Sequence, residues 1–170
     1  MTRVAVHHKE SVVKKNLLIG VSAFVVGVIV TGAVLWFAAP ALMISEDQST
    51  VGFEETVEAI QAEAAAEGWA VPNVLRLDRS VAGDGYDVRP VAVIELCNPS
   101  HAGPILGEDE GRVVSSLMPC RVAVYETADG EVVLNRMNTG LMSRMFGGLV
   151  AETMTTATEE TEAIFAAVLD

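Results

Sequence analysis

Leu117-Met118-Pro119-Cys120-Arg121-Val122-Ala123-Val124-Tyr125-Glu126, then Thr127-Ala128-Asp129-Gly130, then Val132-Val133-Leu134-Asn135-Arg136-Met137, is the stretch that decides the fold. Its two apolar runs, Leu117 to Tyr125 and Val132 to Met137, flank an Asp-Gly pair. That arrangement signals a β-hairpin, because Gly supplies the positive φ that the tight turn demands. Working backward, Val88 to Cys97 is a third apolar strand, and Val71 to Leu77 a fourth. Ala41 to Ser45 is a candidate first strand, followed by a turn over Asp47 to Thr50.

Helical patterns separate and follow these strands. Phe53, Val57, Ile60 and Ala64 recur on one face of a helix running from about Phe53 to Glu67, capped by Thr50 or Gly52. Glu54 and Glu55 oppose the positive end of its dipole, and Gly68 stops it. Ser80 to Asp87, with two glycines, reads as a loop. Asn98-Pro99 is a cap and first helical position for a short helix to about Leu106, and Gly107 to Gly111 an acidic turn. Two further helices are expected, over Leu141 to Ala151 and Thr158 to Leu169. The sum is an α+β domain: a mostly antiparallel sheet with helices on one face.

Ahead of the domain, Leu17 to Ala39 is free of charge for 23 residues. At 1.5 Å per residue it reaches roughly 34 Å, enough to cross a bilayer core. Arg3, Lys9, Lys14 and Lys15 all precede it, which places residues 1–16 in the cytoplasm and residues 40–170 outside the cell membrane, in the periplasm of a two-membrane cell. The span exceeds a signal-peptide core, so it reads as a retained anchor. Gly20, Ala23, Gly27 and Thr31 share one helical face on which a second helix can approach closely. That face suits a homo-oligomer or a larger membrane complex.

From residue 40 onward the chain carries 22 Asp and Glu against seven Arg and no Lys, a net charge of −15. Such a surface excludes nucleic acid as a partner and holds the domain off anionic headgroups. A Gly-rich phosphate loop, a nucleophile elbow and an acid pair with a histidine partner are all missing from the sequence. A binding module is therefore a better reading than an enzyme.

The chemistry-bearing residues converge on one corner. Cys97 ends one strand, Cys120 opens the neighbouring one, and His101 follows Cys97 by four residues. Three states remain open for the two cysteines: a structural disulfide, two buried thiols, or a cofactor or redox site with His101 and Met118. Near the start of a helix, a thiol's pKa falls. Three Cys and His ligands are one short of a closed zinc site, whereas haem needs only one or two axial ligands. Met137, Met142, Met145 and Met154 cluster in the last third of the chain, and Met142, Met145 and Phe146 are expected to pack as core. Arg121 is expected to satisfy Glu95 and Glu126 along the sheet edge.

Phe53-x-x-Thr56-Val57, Glu95-Leu96-Cys97-Asn98-Pro99 with His101-Ala102, and Pro119-Cys120-Arg121-Val122 leading to Val124-Tyr125-Glu126 resemble the family called domain of unknown function 302. The likeness runs over roughly residues 45 to 168. It implies a TBP-like β-α-β4-α fold and a tendency to form homo-oligomers, with haem or redox contexts among its members. No settled activity comes with the resemblance.

Overall fold

The structure, a computed structural model, describes the backbone of residues 2–169 and the side chains of residues 16–39 and 41–169. The basic side chains at positions 3 to 15, and His7 and His8 with them, lie outside the described residues. The chain divides into two compact units, Met1–Pro40 and Ala41–Asp170. The first is occupied by helix α1 (Thr2–Met43), which continues into the start of the second. Its Asn16–Ala39 segment is long and apolar enough to cross a membrane.

The second unit is built on a five-stranded antiparallel sheet in the order β1-β5-β4-β3-β2. Its strands are β1 (Ile44–Gln48), β2 (Ala70–Arg76), β3 (Val91–Cys97), β4 (Cys120–Glu126) and β5 (Val132–Met137). The Asp129-Gly130 turn joins β4 to β5 as expected, with Gly130 at φ 81°. β1 differs from expectation. It starts at Ile44 and runs through Asp47 and Gln48, because pairing with the exposed edge of β5 outweighs the turn preference of those polar residues.

Among the described residues there are six helices, α1, α2 (Phe53–Ala66), α3 (Leu77–Ala82), α4 (Pro99–Gly107), α5 (Thr139–Ser143) and α6 (Gly148–Phe165), with a 3₁₀ segment over Gly111–Leu117. α3 replaces the first part of the expected loop. Arg76 clamps Asp78 at 2.8 Å and Ser80 Oγ donates to the Arg76 carbonyl, which holds this short turn where propensity would not. The strand expected from Leu117 begins only at Cys120, since Pro119 cannot donate to a sheet ladder.

α6 is also longer than expected and passes through the threonines that suggested a break. Thr155, Thr158 and Thr161 each donate to the carbonyl four residues back, so their hydroxyls are satisfied inside the helix. The core lies between the sheet and the α2 and α6 pair. Ile60, Ile94, Val122, Val124, Leu134 and Ile164 are fully buried there. Each such side chain contributes about 1.5–3 kcal/mol by leaving water.

Candidate functional site

Strand alternation decides where the two cysteines point. Leu96 and Cys120 are cross-strand partners, and Leu96 belongs to the buried face with Ala92 and Ile94. Cys120 therefore shares that face and packs against the main core. Cys97 is the next residue on β3, so it falls on the opposite face. Both thiols are free. The strand ends do meet as the sequence suggested, but the side chains diverge across the sheet, and bridging them requires the backbone to shift.

Cys120 lines a cleft between the strand ends and the C-terminal helices. The cleft offers about 130 Å³ of space. Met118 and Cys120 form one wall, Met142 and Phe146 a second, and Val150 and Met154 a third. The Met118–Pro119 peptide, which lines it, is cis. Met118 and Met154 both pack on a small cluster of Ile105, Val114 and Val150, separate from the main core. The one strongly polar side belongs to Arg136, whose guanidinium spans Asp47 and Glu162 at 2.6 Å each and lies over the Phe165 ring. Those carboxylates hold its charge firmly in place and push its pKa up, Glu162 first.

Burial pushes the Cys120 thiol up from its ordinary 9.0, and the nearby Cys97 thiol adds to that shift. This reverses the expectation of a thiol activated by a helix end. Desolvation penalises the thiolate, so Cys120 is a neutral, soft, weakly polar group in an apolar wall.

His101 stands elsewhere. Asn98 caps α4 as expected, its Oδ1 accepting from the Ser100 amide at 3.0 Å, and this places His101 in the first helical turn. There His101 Nε2 donates to Glu160 Oε2 at 2.8 Å. The same oxygen accepts from Trp69 Nε1 at 3.0 Å and lies 3.5 Å from Asn98 Nδ2. Trp69 gets there through the end of α2. Gly68 adopts φ 77°, and the Trp69 amide turns back to the Ala64 carbonyl at 2.8 Å, closing the helix and driving the indole into the core. Its ring lies 5.6 Å from that of His101. The bond from His101, then that from Trp69, holds the Glu160 carboxyl below the usual carboxylate range.

The expected corner thus separates into three places. Cys120 and Met118 line the cleft, His101 is held by Glu160, and Cys97 lies on the far face. Trp69 and Glu160 escaped the sequence reading, since no spacing connects residues 69, 98, 101 and 160. The usable hint was a buried indole, which needs a partner for its N–H. Met145 and Phe146 also depart from expectation: they are 83% and 45% exposed rather than core. Arg121 pairs with Glu95 at 3.2 Å, its register partner on β3. Among the described residues, no group of three or more His, Cys, Asp or Glu is placed to hold a metal ion.

The model of the family described as Domain of unknown function DUF302 matches residues 46–170. The chain belongs to the DUF302 family. A crystal structure of an uncharacterized conserved DUF302 protein from Bacillus stearothermophilus aligns with a TM-score of 0.66. The alignment covers 75% of this chain and 98% of that one at 20% identity, a likeness of fold alone. No curated protein matches the sequence. The family match starts within β1 and leaves the apolar helix α1 outside it.

Proposed function

We propose that this DUF302 protein is a membrane-tethered, extracytoplasmic binding module that takes a small, mainly apolar ligand into the cleft beside Cys120, and that it works as an oligomer. The cleft carries this reading. It is open to solvent and walled largely by methionine and phenylalanine, and its Arg136 and Glu162 are already joined in an ion pair. An apolar cavity of about this size binds benzene or xenon.

Haem does not fit. Pockets for drug-sized or larger ligands run to roughly 300–1,000 Å³, so a macrocycle would have to displace these walls. Of the candidate axial ligands only Met118 and Cys120 line the cleft, and Cys120 is held neutral. Oligomerisation is supported by half-buried Val93, Ala123 and Val133, which lie on the sheet face away from α2 and α6. A second copy would cover them.

The test is thiol protection. In the full chain reconstituted in nanodiscs, benzene slows maleimide modification of Cys120 about fivefold or more and leaves Cys97 unchanged. Ser143→Leu, which fills the cleft, removes the protection. Equal rates with and without benzene sink the reading.

A second reading is an accessory subunit docked on a larger membrane complex through Gly20, Ala23, Gly27 and Thr31. α1 is continuous through all four, which keeps them on one face. Gentle detergent extraction decides it: a protein that always migrates without other chains argues against a larger partner.

A further inference from the structure

Acid is spread through the domain, and its longest acid-free run lies around α5. From Val132 to Ala151 the chain holds no Asp or Glu and two Arg, in a domain with 22 acids. The same stretch carries Met137, Leu141, Met145, Phe146 and Leu149, all exposed, with exposed Ile44 opposite Met137 in the β1–β5 register. These residues form an apolar corner around α5, and Asp47 of β1 and Glu162 of α6 are bound by Arg136, which precedes Met137 on β5. It lies outside the main core, and Arg144 at its tip is exposed.

The corner's position follows from covalent geometry. The Asn138 amide, immediately before α5, donates to the Met43 carbonyl at 2.8 Å. Met43 is four residues beyond Ala39, where the apolar span ends. Four residues reach at most about 14 Å. The corner therefore stands beside the point where the chain leaves the span, whatever angle the domain adopts.

We propose that the α5 corner docks on the bilayer surface next to the anchor, seating Met145 and Phe146 at the boundary between headgroups and acyl chains. This rests on reading Asn16–Ala39 as a membrane span. Apolar side chains gain by burial at that depth, and Arg144 meets lipid phosphates. The rest of the domain, at high negative charge, is repelled by the same surface, so the corner is the one part that contacts lipid. A domain that stands off the membrane as a whole is thereby pinned at one point, which orients the cleft that Met142 and Phe146 also line.

The experiment uses the full chain in nanodiscs of phosphatidylcholine with a minor share of phosphatidylglycerol, doped with a diazirine-bearing phosphatidylcholine. After irradiation, cross-linked peptides are mapped by mass spectrometry. Cross-links are expected in two places, the anchor and Leu141–Leu149. The double variant Met145→Glu with Leu149→Glu, which leaves the cleft walls untouched, is expected to lose the second set about tenfold and keep the first, with unchanged thermal unfolding. Cross-links in the anchor without any at the corner overturn the docking and leave the tether standing. Cross-links in neither place overturn the tether and the docking together. Corner cross-links that survive the double variant overturn the apolar seating.

Discussion

Replacing Glu160 by alanine removes the one acceptor shared by Trp69, His101 and Asn98, and the cost can be worked from the geometry. Hydrogen bonds to a charged group are worth roughly 1.5–3 kcal/mol each. Glu160 is 39% exposed and one oxygen serves several donors, so solvent screening brings that down to about 1 kcal/mol per bond. Trp69 at 3.0 Å and His101 at 2.8 Å count in full, while Asn98 at 3.5 Å adds little. The total is about 2 kcal/mol, or about 6 °C in melting temperature for a domain of this size. Far-UV circular dichroism of the full chain in detergent reads it, since Trp69 fluorescence changes with the site itself. Trp69→Phe and the double variant complete the cycle, with an expected coupling of about 1 kcal/mol. A Glu160→Ala variant that melts within about 1 °C of the parent, or a coupling of zero, would mean that Glu160 does not hold Trp69 and His101 in place.

Acid should expose the same cluster: because the folded Glu160 pKa lies below its ordinary 4.5, its stabilisation is present above that pH and is lost as pH falls through the folded value. The melting gap between parent and Glu160→Gln therefore closes on going from pH 6 to about pH 3, and a gap constant over that range counts against it. Cys120 titrates in the other direction. Its maleimide rate should reach half-maximum above pH 9.0, and a midpoint below that would contradict a desolvated thiol. Gly111→Ala should cost about 1–3 kcal/mol, because the new methyl meets the Ile105 backbone carbonyl; an unchanged urea midpoint would show that the α4 to 3₁₀ junction yields freely.

The parts legible in the sequence are those decided locally. The Asp129-Gly130 turn, the Asn98-Pro99 cap, the Phe53 helix face and β5 all follow from residues within a few positions of one another. The DUF302 resemblance likewise rests on short runs around Cys97 and Cys120. What escaped depends on distant partners. β1 is a polar pentapeptide that becomes a strand only because β5 offers an edge, and α3 is held by an ion pair and a side-chain bond. Alternation also has a consequence that spacing alone concealed. Cys97 and Cys120 are neighbours in register, yet one residue of offset sends them to opposite faces. Likewise His101 was legible as chemistry, but its partners come from elsewhere in the chain, Trp69 just after α2 and Glu160 within α6.

A structure of the protein under xenon pressure shows whether the cleft beside Cys120 takes an apolar ligand. Xenon is predicted in the cleft, bounded by Met118, Cys120, Met142 and Met154. A cleft left empty while xenon occupies other sites, or walls found closed on one another, would contradict it.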